Sequence, residues 1–192
     1  MSTKPASTRA TTRLETERLT LVAWAPDHLL ALFGQPDRFE AISGYPLDAG
    51  LRGLYVSGAV SPVWLAALQK AAGGPADPWR YGFGCVEKQS GVVIATAGFK
   101  GPPDADGMVE IAYGVAPTRQ GQGFATEAAG ALLRFAAADA RVRLLRAHTL
   151  PEANASTHVL RKCGFVHVGP VVDPEDGPVW RWERSVRHIG AS

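Results

Sequence analysis

Beyond residue 79 the apolar positions of this chain fall into short regular patterns, whereas before it they mostly do not. WRYGFGCVE (79–87) and VVIATAGF (92–99) are rich in β-branched and aromatic residues, and Lys88-Gln89-Ser90-Gly91 between them predicts a hairpin. The turn cluster PPDADG (102–107) leads into a third strand, MVEIAYGVA (108–116). Its Val109, Ile111, Tyr113 and Val115 share one face, and Met108, Glu110, Ala112, Gly114 and Ala116 share the other. Phe124, Ala128, Leu132 and Phe135 recur at helical spacing and predict a helix over 122–139. RLLRAHTL (143–150) reads as a strand, and NASTHVLRKC (154–163) as a short helix that Gly164 stops. FVHVGPVV (165–172) and PVWRWERSV (178–186) read as a closing antiparallel pair.

Nearer the N-terminus the pattern is sparser. RLTLVAW (18–24) predicts a strand, and Ala25-Pro26-Asp27 opens a helix through about Phe33, with proline in its first turn. Residues 34–80 are rich in Gly and Pro, and SPVWLAALQKAA (61–72) is their one long helical pattern. Residues 1–13 hold small, polar and basic side chains and predict a disordered tail. The expected organisation is one domain over 14–186 with a short C-terminal tail, 187–192. Strands followed by alternating helices and strands, with no repeat, predict a mixed sheet in an α/β (α+β) domain.

Charge and composition narrow the function classes. Lys and Arg number 20 against 18 Asp and Glu, and this balance offers no clustered basic footprint for nucleic acid. Hydrophobic residues at 46% are too abundant for a disordered chain. No apolar run reaches the roughly 18 residues of a membrane span, and the N-terminus has no hydrophobic signal region. Cys85 and Cys163 make no zinc site by themselves, and no histidine pair has metal-ligand spacing. A cytoplasmic protein without a metal is expected.

The chemistry concentrates in Val115-Ala-Pro-Thr-Arg119-Gln120-Gly121-Gln122-Gly123-Phe124-Ala125-Thr126-Glu127. This is a strand end, a loop with two glycines and a helix start. Glycine permits close approach of a ligand, and a helix N-terminus offers unpaired N–H groups with partial positive charge. Together they suit a pyrophosphate. An isolated Gly-x-Gly is more often a plain turn. The loop lacks the Lys-Ser/Thr of a Walker A motif and the third glycine of a dinucleotide fingerprint.

Gln120-Gly-Gln-Gly123-Phe-Ala125 resembles the acyl-CoA pyrophosphate loop of the GNAT acetyltransferase superfamily. The preceding Glu-Ile-Ala-Tyr-Gly-Val-Ala-Pro is also similar to that superfamily. Pro151-Glu-Ala-Asn154-Ala-Ser156, Val159-Leu-Arg-Lys-Cys-Gly164-Phe165 and Leu14-Glu-Thr-Glu-Arg18-Leu19-Thr-Leu resemble its branch that acetylates ribosomal-protein N-termini. The resemblance implies a twisted sheet splayed between 108–116 and 143–150, with acetyl-CoA as co-substrate. It implies pantetheine against the strand at Tyr113 and Val115, and phosphates at Gln120, Gly121, Gln122, Gly123, Phe124, Ala125 and Thr126. Arg119 is either a further phosphate donor or a solvated loop cation. Asn154 is a cofactor contact, a helix cap, or both.

Many members carry a tyrosine that protonates the departing thiolate at the position of Leu160, and leucine cannot. Ser156 lies four residues earlier on the same helix face and is the candidate acid, against a plain first-turn role. Glu110 is the candidate base, its facing dependent on strand register, against a structural carboxylate. His148 is a second base candidate, and His158 is either a solvated helix histidine, the more common case, or an edge residue of the CoA site. Cys163 reads as a buried, inert thiol. The resemblance implies direct acetyl transfer to a primary amine, favouring a peptide or protein N-terminus. Alternatives are a small-molecule amine such as an antibiotic, polyamine or amino acid, and a non-catalytic acyl-CoA-binding module. The protein is expected to be a monomer or homodimer that contacts neither nucleic acid nor membrane.

Overall fold

The computed structural model describes residues 11–56, 62–174 and 176–186. Eight strands form one sheet: β1 (Arg13–Glu15), β2 (Leu19–Ala23), β3 (Phe83–Glu87), β4 (Val93–Phe99), β5 (Met108–Val115), β6 (Leu144–Thr149), β7 (Val166–Asp173) and β8 (Gly177–Ser185). Their order across the sheet is β1-β2-β3-β4-β5-β6-β8-β7. Every neighbouring pair is antiparallel except β5 and β6. The expected hairpin at 88–91 joins β3 to β4, and the two closing strands pair as β7 and β8.

The strongest helix lies where its apolar spacing placed it, as α6 (Phe124–Ala137; α1–α5 are given below). Phe124, Ala128 and Leu132 are buried against the sheet. Four more buried residues are small or compact: Ala129, Ala131, Leu133 and Ala136. The alanines let the helix axis lie close over β4 and β5. Phe135 joins an aromatic cluster with Trp79, Phe83 and Phe99, ring centres 5.1, 5.6 and 5.8 Å away. The short helix α7 (Ala155–Lys162) follows β6 on the same side of the sheet, and Leu160 is buried in that core.

A second core covers the other face. It is built by α1 (Pro26–Gly34), α2 (Phe39–Ser43), α3 (Ala49–Val56) and α4 (Pro62–Lys70) against β2, β3 and β4. The His28 ring belongs to the start of α1, where Nδ1 accepts the Ala25 N–H at 3.2 Å. The long helical pattern at 61–72 is α4, whereas α2 and α3 are additions to the expected elements. Among the described side chains, α2 buries Phe39 and α3 buries Leu51, too few to make a periodic pattern, while α4 buries Leu68.

Two boundaries differ from expectation. The strand predicted from Trp79 begins at Phe83, because Pro78–Tyr81 forms one helical turn, α5. Asp77 caps it, its carboxylate accepting the Trp79 and Arg80 N–H groups, and Pro78 sits at its first position. At the N-terminus, Arg13 of the expected tail opens β1, pairing with Val22, while residues 1–10 and 187–192 lie outside the described residues. Among the described residues no helix is long and apolar enough to cross a membrane.

Candidate active site

The site begins where the sheet comes apart. β5 and β6 pair only at Met108–Leu144, Val109–Leu145 and Glu110–Arg146. Beyond Glu110 the strands diverge, while β5 stays paired with β4 as far as Val115. The Ala116 N–H bonds Ile94, and the Glu110 carbonyl accepts from Lys100, so even-numbered residues of β5 turn their backbone groups toward β4. The odd-numbered ones, Tyr113 and Val115 among them, turn theirs into the gap. The Gln120 side-chain amide already donates to the Val115 carbonyl at 3.1 Å.

A cavity of about 490 Å³ fills this gap. Tyr113, Val115, Gln120, Gly121, Gly123, Phe124, Ala125 and Thr126 line it, as does Ser156 from α7. These include most of the residues expected around a cofactor. Gln122 and Asn154 are not on its wall. The Gln122 amide donates to the Thr118 carbonyl at 3.3 Å, and the Asn154 side chain caps α7, accepting the Thr157 N–H at 3.0 Å. Arg119, His158 and Lys162 add cationic or ionisable groups to the wall, and Lys162 carried no sequence signal beyond its helical spacing from His158 and Val159. Arg119 is not a solvated cation: Glu87 and Asp48 hold it at 3.4 and 3.8 Å.

Both glycines of the loop require left-handed backbone, with φ of +74° at Gly121 and +86° at Gly123. Gly123 immediately precedes α6, whose first N–H groups therefore open toward the cavity. A tie that sequence reasoning missed fixes this junction. The Arg18 guanidinium holds the Glu127 carboxylate at 2.8 Å, donates to the Gln122 carbonyl at 3.0 Å, and stacks over the Phe124 ring at 4.3 Å. Thr16 and the Arg18 backbone N–H complete the shell of Glu127 at 2.6 and 2.7 Å. Burial by itself favours the protonated carboxyl, but these hydrogen bonds and the Arg18 charge outweigh it and hold the Glu127 pKa below its usual value. The only hint in the sequence was an acidic residue in the first turn of α6.

β5 runs without a bulge, so Glu110 falls on the face opposite Val109 and Ile111, away from the α6 core. One of its oxygens meets Lys100 Nζ at 2.8 Å and His148 Nδ1 at 3.1 Å. A carboxylate only accepts, so His148 carries its proton on Nδ1. The remaining nitrogen, Nε2, is buried without a partner among the described residues. Burial works against the Lys100 ammonium, yet Glu110, Asp176 and Asp173 more than compensate, and its pKa is raised.

Two hydroxyl-bearing residues, Tyr113 and Ser156, line the cavity. Tyr113 Oη donates to the Ser156 carbonyl at 3.4 Å. Burial, with a smaller contribution from Cys163, raises the Tyr113 pKa and keeps the phenol protonated. The Cys163 thiol is buried, donates to the Thr126 carbonyl at 3.8 Å, and has its pKa raised by burial against the opposing charge of Arg184. Burial therefore favours the thiol over the reactive thiolate.

A second cavity of about 300 Å³ lies over the face of the sheet that carries Ala112. Tyr113 lines both cavities. Ala112 lines this second cavity because its side chain points to the face of β5 opposite Val109 and Ile111.

Comparisons with known proteins agree with this geometry. A solved GNAT-family acetyltransferase from Bacillus anthracis superposes with a TM-score of 0.59 at 15% identity, over 91% of this chain and 98% of that one. A ribosomal-protein-S5-alanine acetyltransferase from Vibrio fischeri gives 0.61 at 13% identity, over 94% and 100% of the two chains. RimL, a ribosomal L7/L12 α-N-protein acetyltransferase solved with coenzyme A, gives 0.61 at 16% identity, over 91% and 98%. In sequence, an uncharacterized N-acetyltransferase of Bacillus subtilis, YjdG, is 30% identical over 81 residues, which span 42% of this chain and 48% of that relative. The chain thus matches about half the length of that curated relative. The profile of the acetyltransferase (GNAT) domain matches residues 18–166, so the chain belongs to the GNAT acetyltransferase family.

Proposed function

We propose that this protein transfers the acetyl group of acetyl-CoA directly to a primary amine, and that the acceptor is the α-amine of a peptide or protein N-terminus. One observation carries the transferase reading. A cavity that begins at a glycine loop and a helix N-terminus runs into the gap between β5 and β6, and Tyr113 lines both it and a second cavity. In this reading the phosphates lie at Gly121–Thr126, beside Lys162 and His158. Pantetheine pairs along the odd-numbered backbone groups of β5, and the Val115 N–H meets the thioester oxygen. The acetyl carbon then lies near Tyr113, with cofactor on one side and amine on the other.

Attack of the amine on the thioester carbon forms the C–N bond and expels the thiolate. The proton lost by the amine goes to the Glu110–His148 pair, in which Glu110 holds the ring and Nε2 is the basic nitrogen. The thiolate takes a proton from a hydroxyl of the cavity wall, Ser156 or Tyr113. Leu160, buried in the core, takes no part.

The N-terminal acceptor draws support from the segments 14–21 and 154–165, which resemble the ribosomal-protein branch. An α-amine with a pKa near ~8 also needs less help from a base than a lysine or polyamine amine near ~10.4. The test is an acetylation screen of N-terminal peptides, spermidine and lysine, read by mass spectrometry across pH 7 to 9. Glu110→Gln is expected to slow peptide acetylation modestly, with the deficit shrinking as pH rises and the amine deprotonates unaided. Robust turnover of spermidine or lysine with no peptide modified overturns the N-terminal assignment.

A further inference from the structure

The second cavity says what kind of amine fits, given the transferase reading above. We infer that it receives the side chain of the acceptor's amine-bearing residue and selects a large apolar or aromatic one. Its walls are aromatic: Trp24, Phe33, Trp64, Tyr81, Phe99 and Tyr113. Ring contacts fix them in place. Phe33 meets Trp64 edge-on with ring centres 5.3 Å apart, and Trp24 meets Phe39 in the same way at 6.0 Å. Trp24 also lies flat against backbone, since a Cβ on Gly84 would fall 2.4 Å from its indole nitrogen.

The floor is made of residues with almost no side chain, Gly82, Ala97, Gly98 and Ala112. Gly82 and Gly98 touch backbone to backbone, a Cβ on Gly98 falling 2.8 Å from the Gly82 Cα. The depression is therefore preformed, since its small residues leave open the space that larger side chains would fill. A rigid apolar hollow of about 300 Å³ sits at the small end of ligand pockets and suits one bulky side chain.

Charge argues in the same direction. No carboxylate lines this cavity among the described residues; Arg80 and Lys100 do. Residues 54–61, Leu-Tyr-Val-Ser-Gly-Ala-Val-Ser, contain no acid. The acids that reach the two lining cations are already paired with them: Glu110 and Asp176 lie 2.8 and 3.8 Å from Lys100, and Asp77 lies 3.5 Å from Arg80. A second ammonium, as in a polyamine, meets two cations and no carboxylate on the wall of this cavity.

The test compares kcat/KM for tetrapeptides X-Ala-Ala-Ala with X as Phe, Leu, Ala or Gly, alongside phenethylamine and spermidine, with coenzyme A release as readout. Phe and Leu peptides are expected to exceed the Gly peptide by about tenfold or more. Ala112→Phe, which fills the floor, and Trp64→Ala, which opens a partly exposed wall, should each erase that preference without changing acetyl-CoA affinity by calorimetry. Equal rates across X, or spermidine as the fastest substrate, overturn the inference, as does turnover of no amine by protein that binds acetyl-CoA. Turnover of phenethylamine with every peptide inert keeps the pocket and retires the N-terminal acceptor instead.

Discussion

Gly121 and Gly123 hold left-handed backbone, so any substitution there combines strain with whatever the new side chain does. A pair of nearly isosteric variants separates the two effects. Asn and Asp both tolerate this backbone better than other residues, and nothing lies within 4 Å of a Cβ at Gly121. Gly121→Asp and Gly121→Asn should therefore melt alike, while the carboxylate weakens acetyl-CoA binding about tenfold or more relative to the amide, roughly 1.4 kcal/mol. Equal affinities would move the phosphates away from this loop. A second pair of variants assigns the acid. Tyr113→Phe and Ser156→Ala each remove one hydroxyl from the cavity wall. The true donor should lose about 10²-fold in kcat with little change in KM for acetyl-CoA, and the other variant should keep near wild-type kcat. The serine was legible in the sequence through its place on the helix. The tyrosine was legible as a strand residue, but its reach across the gap to α7 depends on how far the strands diverge.

At the scale of elements, the Arg18–Glu127 tie joins the start of β2 to the first turn of α6. Because folding lowers the Glu127 pKa, its contribution is fully present above the unfolded value near ~4.3 and is lost as pH falls through the lower folded value. Glu127→Gln should cost about 2 kcal/mol at pH 7, and wild type and variant should converge in acid. A deficit that persists unchanged at pH 2 would mean the loss is one of packing. Elements with long apolar spacing, such as α6, or strict alternation, such as β5, were readable to within two residues of their ends. The helices α2 and α3 were not, because each is short and, among the described side chains, buries one residue, Phe39 and Leu51. The aromatic cavity was missed for a related reason. Its walls come from Trp24 just after β2 and from α1, α4, α5, β3, β4 and β5, elements far apart in the chain, and no local pattern records their meeting.

Taken whole, the molecule is two sheet segments, β1 through β5 and β6 with β8 and β7, that share three paired positions and the covering helices α6 and α7. If the cofactor pairs along β5 as proposed, it supplies rungs beyond the three that β5 and β6 share, and the loaded protein is then expected to open less readily at this seam than the apoprotein. Amide hydrogen exchange reads that difference with a distinctive alternation. Tyr113 and Val115 N–H groups should slow markedly on addition of acetyl-CoA, whereas Ala112, Gly114 and Ala116, already bonded toward β4, should change little. Uniform protection along β5 would indicate general tightening and argue against an added ladder. If the alternation holds, each catalytic cycle completes the sheet when acetyl-CoA enters and undoes it when coenzyme A leaves. Unzipping those rungs then becomes part of product release, and a step capable of setting the turnover rate.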